Sequence, residues 1–310
     1  YEGGLHDYPD REFRGFNKVT ETDAADNTIA HYFHQDDALK GLEYRTEVRD
    51  DGSNLYAVTE NSYSSTAQGS GYIVRLTRTD ESTYDGAAGS PVVRRTEYQY
   101  DPYGNVTLTS YLGDPNVTGD ERYAYTQHTY NTGKWIVDRP AHSYLLASDN
   151  TTLVRESWLY YDGNTFWSDP PTKGNLTLQT DVLNTGDDPS ARYEYDGYGN
   201  QIRVTDPLGR VTQFVYGMAD PTFTFPEKVI NPLGQQTVSV YDRATGNVLS
   251  TTDANGYVTQ YIYDAEGRLA DEIRPYDSVA LPTVRYEYQL DGVAPEVIVV
   301  RQRTVSGQLA

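Results

Sequence analysis

The sequence predicts an all-β protein built of repeated hairpins stacked into a long, curved antiparallel sheet. Three observations predict it. Tyrosine occurs 29 times against 7 phenylalanines, and a ring with a polar tip suits a half-buried sheet face. A Tyr-x-Tyr pair recurs at Tyr98/Tyr100, Tyr123/Tyr125, Tyr193/Tyr195, Tyr261/Tyr263 and Tyr286/Tyr288. Residues two apart on a strand share a face, so each pair sets two rings side by side. Turn signatures of fixed type follow at a regular pitch.

The clearest unit begins at Arg192-Tyr193-Glu194-Tyr195, where polar residues alternate with rings, the pattern of a strand with one buried face. A turn follows the second tyrosine. Tyr100-Asp101-Pro102-Tyr103-Gly104-Asn105, Tyr195-Asp196-Gly197-Tyr198-Gly199-Asn200 and Tyr241-Asp242 through Gly246-Asn247 share one plan, and Tyr263-Asp264 through Gly267 follows it with Arg268 in the last place. Aspartate can bond back to the backbone, and the glycine supplies a positive φ. A second alternating strand comes next and ends at Asp206-Pro207-Leu208-Gly209, Asn231-Pro232-Leu233-Gly234 or Asp253-Ala254-Asn255-Gly256. Tyr195, Tyr216, Tyr241, Tyr263 and Tyr288 lie 21, 25, 22 and 25 residues apart, a repeat in which each hairpin is buried by its neighbours.

Upstream the units stretch. Tyr84-Asp85-Gly86, Tyr161-Asp162-Gly163-Asn164 and Lys173-Gly174-Asn175 keep turn chemistry, with longer loops at Leu112 to Glu121 and Ala147 to Thr152. Before Asp80 no repeat is legible; there we expect strands at Ile29 to Phe33, Tyr44 to Val48 and Ile73 to Thr77, with loops at Asp50-Asp51-Gly52 and Ser62 to Gly71. We therefore expect a front β segment (residues 1–90), stretched hairpins (91–190) and regular repeats (191–310), joined in one continuous sheet. The opening Tyr1-Glu2-Gly3-Gly4 reads as an excerpt of a longer chain.

Composition narrows the function. A formal net charge of −20 repels nucleic acid and anionic membrane surfaces. The longest strongly aliphatic run, Val297 to Val300, suits one strand and predicts no membrane insertion by this segment. With no cysteine, disulfides and thiolate metal sites are excluded.

The unit Tyr-x-Tyr-Asp-x-x-Gly-Asn followed by Asp-Pro-x-Gly, best seen from Tyr193 to Tyr216, resembles the YD repeat of Rhs proteins. At the front, Gly4-Leu5-His6-Asp7-Tyr8, Arg11-Glu12-Phe13-Arg14-Gly15-Phe16, Tyr32-Phe33-His34 and Leu39-Lys40-Gly41 are similar to the segment that precedes the repeats in SpvB-like proteins and in the B component of insecticidal toxin complexes. The resemblance implies a non-catalytic structural segment of a secreted or cell-surface bacterial protein. In that family, YD repeats wind into a shell around a separate C-terminal toxin. The implied partners are the remainder of the shell, the enclosed toxin domain and other toxin-complex subunits, with no cofactor. Asp206-Pro207-Leu208-Gly209 is read as a repeat turn and not as the family's cleavage-region motif, because further turns follow it.

Other readings attach to particular residues. Trp158, Tyr160 and Trp167 are a candidate sugar-stacking platform, which would make the chain a carbohydrate- or cell-surface-binding module; the alternative is that they pack within the sheet. His31 and His34, three apart on a strand, point to opposite faces and cannot share one metal ion. His6 beside Asp7 could form a general-base pair, but no nucleophile is marked near it. A glycoside hydrolase needs two carboxylates across a bond; Asp36-Asp37, Asp50-Asp51 and Asp187-Asp188 read instead as loop aspartates. We expect no catalytic or metal residues.

Overall fold

The fold is taken from a computed structural model, which describes residues 1–84, 89, 91–183, 186–290, 292 and 297–303. The Asp85-Gly86 turn expected from the sequence lies outside them. Among the described residues there is no helix, and the chain is all-β.

Contacts divide it into two compact units. The first comprises Tyr1–Gly174 and Gln179–Asp188. It opens with a two-stranded ribbon, His6–Asp7 against Glu12–Phe13. From Lys18–Thr22 onward, each strand pairs antiparallel with the next: Thr28–Phe33, Glu43–Arg49, Leu55–Gln68, Gly71–Thr83, Val92–Tyr100, Val106–Gly113, Arg122–Asn131, Ile136–Leu146 and Leu153–Tyr161. The front segment is thus continuous, strand by strand, with the stretched hairpins. The second unit comprises Asn175–Leu178 and Pro189–Ala310. Its strands, from Ser190–Tyr195 to Val297–Gln302, repeat the same consecutive antiparallel pairing.

One expected loop is a correction. Ser62 to Gly71 forms most of a long hairpin, with Ser62 opposite Arg78, Thr66 opposite Ile73 and Gln68 opposite Gly71. Only the tip turns, at Gly69 with φ of 59°. The serine- and threonine-rich run resembled a loop because both its faces are polar. Its strand state is imposed by the partner strand, whose Tyr72, Ile73 and Val74 supply the β preference.

Few side chains are fully buried. Among the described residues the buried apolar ones include Ala30, Val58, Ala141, Tyr161, Ile273 and Val284, with Pro171 and Pro282. Cohesion therefore leans on cross-strand pairs and ladder hydrogen bonds. Two buried carboxylates face arginines directly across the ladder. Asp80 takes two bonds from Arg95 at 2.7 and 3.0 Å, and Asp271 takes two from Arg285 at the same distances. Such bidentate pairs keep a partly buried charge satisfied.

Candidate functional site

The most repeated geometry is the turn. In the Asp196 hairpin, the Asp196 amide donates to the Asn200 carbonyl at 2.9 Å, and Gly199 donates back to the Asp196 carbonyl at 3.3 Å. One carboxylate oxygen accepts the Tyr198 and Asn200 amides, both at 2.9 Å, while the other accepts the Asn200 side chain at 3.0 Å. Gly199 has φ of 92°, a left-handed conformation that suits glycine. The Asp101 turn is the same down to its bonds, with Tyr103 and Asn105 donating at 2.8 and 2.9 Å and Gly104 at φ of 97°. At Asp206 and Asp264 the asparagine is replaced by Arg210 and Arg268, whose Nε groups reach the carboxylate at 2.6 and 2.7 Å. Pro207 and Gly209 occupy the second and fourth places of the former, and Gly267 the fourth of the latter. The Asp242 turn is one residue longer, ending at Gly246 and Asn247, and its carboxylate accepts Ala244 and Thr245.

These bonds favour the ionised carboxylate. Backbone donation from Arg210 holds the Asp206 carboxyl below the usual range, and donation from Thr245 does so for Asp242. At Asp101, Asp196 and Asp264 partial burial pushes upward, but the hydrogen bonds outweigh it and the net shift is downward. Asp101 also accepts the Tyr130 hydroxyl at 2.7 Å. Burial, and then that carboxylate, push the Tyr130 phenol up to about 12.

The structure also finds this turn where no repeat was legible. Asp23 accepts the amides of Ala25 and Asn27 at 2.8 and 2.9 Å, and Asp50 accepts that of Asn54 at 2.7 Å. The position that glycine fills elsewhere holds Asp26 (φ 60°) and Ser53 (φ 63°). With the glycine gone, the motif vanished from the sequence while its geometry persisted. The Asp-x-x-x-Asn spacing was the signal that could have found it.

The tyrosines explain their own abundance. Four strand tyrosines, three of them second in a pair, donate their hydroxyls to carbonyls 15 to 24 residues upstream: Tyr100 to Leu76 at 2.7 Å, Tyr161 to Pro140 at 2.8 Å, Tyr263 to Val248 at 2.9 Å and Tyr288 to Leu269 at 2.9 Å. Phenylalanine would fill the same space and leave the carbonyl unsatisfied.

The aromatic candidates are distributed as follows. Trp158 lies face to face with His142, ring centres 3.6 Å apart and 2° from parallel, and Trp167 leans on both at 5.6 and 6.0 Å. Tyr160 follows Trp158 on the same strand and is half-buried. His142 is 9% exposed; its Nε2 lies 2.6 Å from the Glu156 carboxylate and its Nδ1 3.3 Å from Gln127 Oε1. His142, Gln127 and Glu156 were not singled out from the sequence, because strand register alone joins them: Gln127 and Trp158 each lie directly opposite His142. One indole face of Trp158 is therefore taken by the imidazole. His31 pairs with Glu43 at 2.6 Å, whereas His34 packs on the Tyr44 ring 4.8 Å away. Among the described residues, Asp7, Asp10 and Asp37 are close enough to share an ion. The Arg14 guanidinium already sits among them, bonded to all three.

Tyrosine-capped strands, carboxylate-held turns and a pitch of 21 to 25 residues define a β-sheet protein built of repeated hairpins. The RHS repeat family matches residues 241–279, the Asp242 and Asp264 hairpins among them. The fold is similar to that in the crystal structure of TcdB2-TccC3, with a TM-score of 0.62 and 13% identity, covering 97% of this chain and 24% of that one. The Photorhabdus luminescens Tc holotoxin pore gives a TM-score of 0.60 at 12% identity, over 98% of this chain and 21% of that one. TcdB2-TccC3 without its hypervariable C-terminal region gives 0.60 at 13%, over 88% and 21%. The chain thus spans between a fifth and a quarter of each of these three solved chains. No curated protein matches it.

Proposed function

We propose that this chain is a structural, non-catalytic segment of an Rhs/toxin-complex protein, a run of sheet that helps to wall off a separate C-terminal toxin. The observation that carries the reading is the turn repeated from Asp196 to Arg268, with its RHS-repeat match at 241–279, in a fold similar to TcdB2-TccC3 over 97% of the chain. The physical role follows from the construction. Hairpins whose backbone groups pair with their neighbours make a hydrogen-bonded wall. The turn carboxylates accept backbone amides of that wall, and the Tyr100, Tyr161, Tyr263 and Tyr288 hydroxyls donate to its carbonyls. The Trp158 ring faces His142, which supports packing over an open sugar platform. The partners in this reading are the remainder of the shell, its enclosed toxin and other toxin-complex subunits, outside the producing cell or at its surface.

The test is the parent polypeptide. Its gene should encode further YD repeats followed by a variable C-terminal domain. In the purified full-length protein that domain should resist protease until the sheet is unfolded. A C-terminal domain digested as fast as the same domain expressed alone would overturn the enclosure.

A further inference from the structure

The Asp253 turn carries a chemically reactive pair. Asn255-Gly256 is the one asparagine–glycine step in the sequence. Glycine has no side chain beside its amide nitrogen, so that nitrogen can reach the side-chain carbonyl of the asparagine before it. Both residues are exposed, and a Cβ at Gly256 would meet nothing within 4 Å. Other turn asparagines are tied down. Asn27, Asn54, Asn105 and Asn200 donate their side-chain amides to the aspartate of their own turn at 2.8, 2.9, 2.7 and 3.0 Å. Asn255 stands two places earlier in its turn, and its side chain has no hydrogen-bond partner among the described residues. Leu208 and Leu233 fill that place in two sister turns, 77% and 83% exposed, so the fold makes no use of the side chain there. What the turn does hold is the backbone. One Asp253 carboxylate oxygen accepts the Asn255 and Tyr257 amides at 2.9 and 2.8 Å, and the Gly256 amide donates to the Asp253 carbonyl at 3.0 Å. The Gly256 nitrogen is therefore engaged while the turn is closed and released when it opens, and a hairpin tip opens locally far more often than the sheet unfolds.

We infer that Asn255 is a site of spontaneous deamidation, gated by the Asp253 carboxylate that closes the turn. The Gly256 nitrogen, having lost its proton to base, attacks Cγ of Asn255. A nitrogen–Cγ bond forms, the Cγ–Nδ2 bond breaks, and ammonia leaves with a proton from solvent, giving a five-membered succinimide. Water then opens the ring on either side. Cleavage of the new bond restores the backbone with aspartate at 255; cleavage of the original peptide bond leaves isoaspartate. One water enters, one ammonia leaves, and nothing is oxidised or reduced. The two products differ in what they do to the hairpin. Aspartate changes only a side chain the turn does not use. Isoaspartate routes the main chain through an extra carbon between Ala254 and Gly256, and so breaks the four-residue geometry that aligns Gly256 with the Asp253 carbonyl. Either product adds one negative charge beside Asp253.

The experiment incubates the 310-residue chain in mildly alkaline buffer, folded and in urea, and follows the amide-to-acid mass change at position 255 by peptide mapping. The folded chain should convert at Asn255, more slowly than the unfolded one. Asp253→Ala removes the brace and should speed conversion in the folded chain about fivefold. Asp253→Asn keeps an acceptor, as Asn231 does in its own turn, and should stay near the parental rate. Asn255→Leu, the residue of the sister turns, should fold as the parent does and show no mass change there. An Asn255 that stays intact in the folded chain while the unfolded chain converts would overturn the site. Equal rates folded and unfolded, or an unchanged rate in Asp253→Ala, would overturn the gating. So would a rate in Asp253→Asn as high as in Asp253→Ala.

Discussion

At the residue scale, the repeat rests on two kinds of satisfied polar group, a side-chain acceptor under the turns and a phenol on the tyrosine-bearing strands. The Tyr263 hydroxyl meets Val248 and the Tyr288 hydroxyl meets Leu269. Tyr263→Phe should therefore cost about 1 kcal/mol, the net worth of one such bond, measured by urea unfolding. The turn position with positive φ makes a second prediction. Ser53 occupies it at 63°, and a left-handed non-glycine residue is disfavoured by about 1–2 kcal/mol. Ser53→Gly should raise stability by part of that amount, whereas Gly199→Ala should lower it by about 1 kcal/mol. A Cβ at Gly199 would touch nothing within 4 Å, so the loss would come from the backbone alone. Comparing the urea midpoints of both variants with the parent checks the pair.

At the scale of the element, the hairpin needs an acceptor at its first turn position more than it needs a charge. Asn231 occupies the slot that Asp206 fills in its neighbour and accepts the Leu233 and Gln235 amides, both at 3.0 Å. Asp206→Asn should thus keep the turn, while Asp206→Ala should destabilise by about 1 kcal/mol, as loss of a capping side chain does. Amide exchange at Leu208 and Arg210 would distinguish them, staying slow in the first and speeding up in the second. The element also explains what was legible. At Tyr195-Asp196, Tyr241-Asp242 and Tyr263-Asp264 the tyrosine, the aspartate and the glycine coincide, so those hairpins could be read directly. At Asp23–Asn27 and Asp50–Asn54 only the aspartate and asparagine remain, and the left-handed residue hides as Asp26 or Ser53. The Ser62–Gly71 run was misread for a related reason: an exposed strand owes its state to the opposite strand and not to its own composition.

At the scale of the whole molecule, the carboxylate-held turns make stability sensitive to acid. Asp23, Asp50, Asp101, Asp196, Asp206, Asp242 and Asp264 all have folded pKa values below their ordinary one. For an acid shifted down, the unfolded chain binds the proton first. The stabilisation is present in full above the unfolded value of about 3.9 and is lost as pH falls through the folded value. Tm should therefore stay level from neutral pH to about pH 5 and then drop steeply. Asp206→Asn should soften that drop; an unchanged acid profile would remove this turn from the explanation.

The sequence by itself determined the all-β class, the position of the regular turns and their pitch. These follow from local chemistry: φ preference, side-chain acceptors within four residues, and alternation along a strand. It also carried the charge that disfavours nucleic acid. Only the tertiary structure decided what the tyrosine hydroxyls bind and that Trp158 stacks on His142 beside Glu156. Each of these depends on which residue lies opposite in a neighbouring strand or on an adjacent tip. Such register is fixed by bulges and loop lengths summed over many residues, and no short window of sequence contains it.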